Sequence, residues 1–330
     1  MPGNAQDFLF QRIREMLPPH ISLVDAISEI LHVSNDSAYR RIRGETYLVL
    51  DEARIICDHY HLSMDQMFNV HSGSVLFETV RIHNKNYPFE NYLEGILQQM
   101  QQVSGFLQKE IIYLTKDIPL FHQFTFQPFF AFKYFFWMKS ILQHPDYATR
   151  TFSIDCLPPA VKSLGESVIK AYNVIPSTEI WNSECLNSTI FQVEYYKEAG
   201  IFSSSADIRI IYDAIEEAIY HVKSEVEYGG KFLPGENPQL KKNNFKFFFN
   251  RVMLGDNTIL TVTDHQKSVH ILFDVLNYMS TRDDAFCKDT FEMMQNLIKK
   301  STLMSSVNEK QRNIFFNVLI SKLADRKRNL

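Results

Sequence analysis

Residues 22–68 read SLVDAISEILHVSNDSAYRRIRGETYLVLDEARIICDHYHLSMDQMF. Apolar residues recur at helical spacing over 22–31, placing Ala26, Ile27, Ile30 and Leu31 on one inward face. His32 and Val33 make a tight corner, and Ser34 can cap the next helix by accepting one of its free backbone N–H groups. That helix, 35–43, is short and ends at Gly44, a residue suited to a left-handed stop. A third helix is expected over 52–60, and 63–68 closes the unit. Two short helices joined by a tight turn bury little surface alone, which makes sense if neighbours hold the second outward as a probe. Its polar side carries Asn35, Tyr39, Arg40 and Arg43, while Ala38 and Ile42 face inward.

The run AYRRIRGE followed by DEARIICDHYHLSMDQMF resembles the Cro/C1 (XRE) class of bacterial helix-turn-helix domains, closest to its BetR-like branch, over about 50 residues. The resemblance implies a sequence-specific DNA-binding transcription regulator with double-stranded DNA as its partner. By position it implies contacts to bases or backbone from Ser34, Asn35, Asp36, Ser37, Tyr39 and Arg40, with Arg43 and Thr46 toward phosphates. Two positions depart from the pattern. His32 stands where the turn usually has glycine, a strain of about 1 kcal/mol, and Ser28 fills the small-residue position. Residues 1–70 hold six Arg, no Lys and ten acidic residues, so positive charge is concentrated at Arg40, Arg41 and Arg43 rather than spread over the unit.

Outward from this head, 5–16 reads as an amphipathic helix with Phe8, Ile13 and Met16 apolar, stopped by Pro18 and Pro19. Residues 71–87 lack a clear period and read as a linker. Helices are expected over 88–115, 158–172, 177–199 and 204–228, with Gly200 and Gly229 as stops. After the breaker-rich loop 230–244, the segments FKFFFNRVML, TILTVT and SVHILF predict a small antiparallel β-meander near 245–273. Helices over 284–300 and 307–325 close the chain. The expected fold class is mainly α: a head over 1–70, a helical effector or dimerisation region over 88–235, and a meander with terminal helices over 236–330 as a sensor module.

Composition narrows the function. The 330 residues contain 27 Phe and 15 Tyr but only 11 Gly and 12 Pro, which favours helices and aromatic cores. A net charge of −4 excludes an indiscriminate nucleic-acid coat. Cys57, Cys156, Cys185 and Cys287 are scattered, and no signal peptide or long apolar span is evident, so a cytoplasmic location without membrane association is expected. Phosphate-loop, dinucleotide, nucleophile-elbow and zinc-protease motifs are all absent, and the chain is not expected to be an enzyme or to carry a cofactor. Cys57, His59 and His61 lack a fourth ligand and read as helix core and helix end rather than a metal site.

Ten aromatic residues fall between Phe121 and Trp137. They read first as core. If they lined a pocket for an effector, His122, Phe126, Phe130, Lys133 and Trp137 would be its residues. Helix-turn-helix readers usually bind paired half-sites, so a homodimer is expected. Two alternatives stay open: an adaptor whose head binds protein instead of DNA, and a small-molecule-binding protein using 121–137.

Overall fold

A computed structural model describes residues 5–17, 21–60, 62, 64, 74–80, 82, 87–238, 243–252, 255–264 and 266–330. The chain forms two compact units, Met1–Leu76 and Phe77–Leu330.

The first unit contains α1 (Ala5–Met16), α2 (Leu23–Leu31), α3 (Asn35–Ile42) and α4 (Leu50–Tyr60). Its core gathers Leu9, Phe10, Ile13, Leu23, Ile27, Ala38, Ile56 and Cys57. α1 therefore turns Leu9, Phe10 and Ile13 inward, and Phe8 and Met16, read as part of the apolar face, are exposed. Ser22 caps α2 by accepting from Val24 N. His32 closes α2 at φ 53°, in the left-handed region expected for it. The expected closing turn 63–68 falls largely outside the described residues.

The second unit is built on an eight-stranded mixed sheet. Its strands are β1 (Glu78–Thr79), β2 (Lys109–Leu114), β3 (Ser177–Trp181), β4 (Phe245–Phe249), β5 (Thr258–Thr263), β6 (Lys267–Leu272), β7 (Tyr278–Thr281) and β8 (Thr302–Leu303), in the order β1-β7-β6-β5-β2-β3-β4-β8. β2, β3 and β4 run parallel, with Ile111 opposite Ser177 and Ser177 opposite Phe245. β5 joins antiparallel to β2, and β5, β6 and β7 form the meander.

Parallel neighbours need long crossovers. Between β2 and β3 lie α6 (Leu120–Gln123), α7 (Gln127–Phe136) and α8 (Pro159–Asn173). Between β3 and β4 lie α9 (Asn187–Glu198) and α10 (Ser205–Tyr228). α5 (Phe89–Ser104) precedes β2, and α11 (Asp284–Lys299) and α12 (Glu309–Arg328) flank β8. Strand alternation divides the core. Ile111 and Tyr113 face a large aromatic cluster with the crossover helices. Ile112, Leu114 and Ile180 face the other side, against Cys287 and Met294 of α11.

The expectation of a mainly α chain with a small meander at 245–273 is corrected by this sheet. The segment 88–115 is helix only to Ser104 and then β2, and 177–199 opens as β3 before α9 begins. β4 pairs with β3 and β8 instead of joining β5, and the antiparallel meander is instead 258–281. The sheet takes strands from both 88–235 and 236–330. Strands buried on both faces lose the alternation that marks a half-exposed strand, so the short apolar run at 111–114 continues the helical pattern before it.

Candidate functional site

α3 is an eight-residue helix, about 12 Å long. Ser34 Oγ accepts from Ser37 N and fixes its start. Ala38 is fully buried and is the residue on which the helix rests. Asn35, Asp36, Tyr39, Arg40 and Arg43 all lie exposed on its other side. Asn35 Nδ2 donates to Asp25 Oδ1 at 3.1 Å. Arg43 lies over the Tyr39 ring at 5.6 Å, which pairs them on the outer surface.

The three arginines divide into two kinds. Arg41 turns inward, donating from Nη2 to Glu52 Oε1 at 2.7 Å and from Nε to Glu52 Oε2 at 3.1 Å. Hydrogen bonding from Arg41 holds the Glu52 carboxyl below its usual range. Arg41 also donates to the hydroxyl and carbonyl of Ser37. Ser37, expected among the DNA contacts, is therefore half-buried in the scaffold that fixes α3 to α4.

Arg40 and Arg43 remain outside, flanking Glu45 at 3.8 and 3.6 Å. The segment after α3 is tied down by Gln6, a buried amide of α1. Its Nε2 donates to the carbonyls of Arg41 and Thr46, and its Oε1 accepts from Leu48 N at 2.8 Å. Thr46 is half-buried there, so its main chain is held in place. Gln6, Glu45 and Glu52 were not legible as site residues, because nothing local in the sequence says which acid or amide reaches α3.

In the second unit, Phe130, Lys133, Trp137 and His122 are buried and Phe126 is half-buried. Phe130 packs on Phe124 with ring centroids 4.6 Å apart, and Trp137 stacks on Phe89 at 5.8 Å. The two polar handles belong to separate networks. Lys133 Nζ donates to Thr189 Oγ1 at 3.1 Å and Gln192 Oε1 at 3.0 Å, and it pairs with Asp117 at 3.3 Å. Burial lowers the Lys133 pKa even against the pull of Asp117.

His122 sits 2.9 Å from Glu179 Oε1. Glu179 also accepts from Tyr172 OH at 2.6 Å and Trp181 Nε1 at 2.7 Å. Burial opposes the charge on both partners. Even so, Glu179 holds the imidazole above its usual range, and His122, Tyr172 and Trp181 hold Glu179 below its own. Glu225 and Lys231 complete this cluster, and burial brings both to about 7, one from below and the other from above. None of the five expected pocket residues lines the open cleft of about 900 Å³ elsewhere in this unit.

Among the described residues, no group of three or more His, Cys, Asp or Glu could hold a metal ion. Cys57 is buried in the first unit's core, and His61 lies outside the described residues. No described helix is long and apolar enough to cross a membrane. Comparison with family models, with curated proteins and with solved structures returned no match to this chain.

Proposed function

We propose that this chain is a sequence-specific DNA-binding transcription regulator that reads the major groove with α3. The observation that carries the reading is the arrangement of that helix. It is held from behind by Ala38, Arg41–Glu52 and Gln6, while Asn35, Tyr39, Arg40 and Arg43 are left exposed on its outer side. Asn and Arg are the side chains that pair with the edges of adenine and guanine. The well-held backbone supplies the pre-organisation that base reading requires.

In this reading two copies bind half-sites about 34–36 Å apart, and the second unit senses a signal. Because the first unit carries excess acid, non-specific attraction to DNA is weak and affinity rests on a few placed contacts. The test is selection from a random duplex library, followed by fluorescence anisotropy across a salt series. Wild type should select one motif with a steep salt dependence. Arg40→Ala should weaken it by about 1–3 kcal/mol, and an unchanged affinity removes Arg40 from the reading set.

A second reading, a protein-binding adaptor, has one observation in its favour. Tyr47, Val49 and Leu50 are exposed side by side just after α3, Leu50 at 75%. Absence of any selected motif at low salt would favour it.

A further inference from the structure

The parallel strands β2 and β3 both end at the open cleft. Thr115 and Lys116 follow β2, and Asn182 follows β3. In sheets of this kind, ligands gather outside the carboxyl ends of the parallel strands. One wall is α9, which presents Ser188, Phe191, Gln192 and Tyr195 at positions three and four apart. The opposite wall is a π-helical turn, Trp137–Ile141, in which Leu142 N donates to Trp137 O at 2.8 Å. Such turns concentrate at functional sites. It is followed by Gln143, a non-glycine residue at φ 50°.

The chemistry of the walls selects the ligand. Phe191 and Tyr195 are 62% and 60% exposed, two rings on one helix face with no core role. The charged groups are each paired or hydrogen-bonded, so the cleft presents no surplus acidic or basic side chain without a partner. Lys139 spends all three ammonium hydrogens on the carbonyls of Tyr147, Ala148 and Arg150. Lys116 is bound to Asp256 at 2.6 Å, and Glu184 is bound by Asn187 and Lys322. Gln192 is fixed by Lys133 beneath it.

Among the groups that remain open are two donors and the exposed amide of Gln143. Asn182 is only 4% exposed, and its Oδ1 accepts from Glu184 N at 2.9 Å. Its Nδ2 makes no hydrogen bond to another described residue and is not among the atoms buried without a partner. It therefore meets the solvent of the cleft, where a ligand acceptor can take the place of water. The Ser188 hydroxyl accepts from Gln192 and keeps its own proton to give.

We infer that this cleft binds an uncharged, flat ring compound carrying carbonyl acceptors. The ring lies against Phe191 and Tyr195, and a carbonyl accepts from Asn182. Volume agrees, since about 900 Å³ lies within the range of small-molecule sites. The site stands apart from DNA binding, so ligand titration of the full chain tests it whether or not the first unit reads DNA.

The experiment is saturation-transfer NMR on the full chain with uracil, uridine, theophylline and lumichrome. Glucose is a ring without a flat face, and citrate is a charged acceptor. The flat carbonyl compounds should bind at millimolar concentration or better, with glucose and citrate silent. Asn182→Asp keeps the acceptor that holds Glu184 N and replaces the free donor. Phe191→Ala removes an exposed ring without touching the core. Each should weaken binding about tenfold. The inference is overturned if none of the four binds at millimolar concentration, if glucose or citrate binds better, or if neither variant changes the affinity.

Discussion

Arg41 and Glu52 form a two-pronged ion pair between α3 and α4, with Nη2 to Oε1 at 2.7 Å and Nε to Oε2 at 3.1 Å. Both side chains are mostly buried, at 15% and 19% exposure. This pair separates arginines that look interchangeable in the sequence. Arg41→Ala should destabilise the first unit by about 1–3 kcal/mol, because Glu52 and Ser37 lose their partner together. Arg40→Ala should change stability by no more than about 0.5 kcal/mol. Glu52 is held below its usual carboxyl range chiefly by Arg41, so its contribution is present above about pH 4.3 and is lost as pH falls further. Urea unfolding followed by circular dichroism reads both units. Fluorescence from Trp137 and Trp181, the only two tryptophans, reads the second unit alone. A dichroism loss in Arg41→Ala that the tryptophans do not share is the expected result.

Glu45 lies 3.8 Å from Arg40 and 3.6 Å from Arg43, so under the proposed function it competes with a DNA phosphate for both. All three side chains are about half exposed, so each pair is worth at most about 1 kcal/mol. Glu45→Gln should raise affinity for the selected duplex about two- to fivefold and steepen its salt dependence. Anisotropy titration at two salt concentrations checks this. A weaker variant would mean that Glu45 orients the arginines instead of masking them.

The first unit was legible because its helices obey local rules. Ser34 caps, His32 turns, and Ala38 faces inward where spacing puts it, while Ser22, read as the first helical residue, is instead the cap of α2. The sheet was not legible, for reasons that lie in two strands. In β2, Ile111 and Tyr113 are buried on one face and Ile112 and Leu114 on the other, so no polar residue breaks the run. In β3, Ser177, Thr178 and Glu179 look like solvent-facing positions, yet all are buried. Glu179 survives there only because His122, Tyr172 and Trp181 reach it from distant points in the chain. The cleft was equally hidden. The aromatic run 121–137 drew attention to its own buried rings, and the exposed pair Phe191 and Tyr195 reads as an ordinary helix face.

Gly165 in α8 is a packing requirement that a helix pattern conceals. A Cβ there would meet Phe130 Cε1 at 2.5 Å, and the Phe130 ring is itself locked in the core against Phe124. Gly165→Ala should gain helix propensity of about 1 kcal/mol but lose more through overpacking, about 1–3 kcal/mol. Tryptophan-monitored urea unfolding should show a lower midpoint. An unchanged or higher midpoint would mean that Phe130 relaxes without cost.

The buried cluster around Glu225 gives the second unit a pH dependence whose sign can be worked out. Burial pushes the Glu225 carboxyl up to about 7, against His122 at 3.8 Å, a main-chain bond from Phe232, and Lys231. A raised acid binds its proton more tightly in the folded state. Its stabilising effect is therefore complete below the unfolded value, about 4.3, and is lost as pH rises through 7. A shift of that size is worth about 4 kcal/mol when complete. Glu179, His122 and Lys231 act elsewhere on the pH scale, and two buried histidines act in the same window with the opposite sign. Glu179 is held low and matters below the same lower limit. His221 and His270, each pushed down to about 4 by burial, stay neutral in the folded state. Their unfolded forms take up protons below about 6.5, so each adds stability as pH rises across this window and opposes Glu225. The raised His122 titrates in the folded state only above its usual value, about 6.5. Lys231, lowered to about 7, adds stability only as pH rises beyond that value. Between pH 4.5 and 6.5, then, stability should rise more steeply with pH in Glu225→Gln than in wild type, because the variant lacks the slope that opposes the two histidines. Tryptophan-monitored urea unfolding at several pH values measures both slopes. Equal slopes in the two proteins would mean that Glu225 does not titrate in this window.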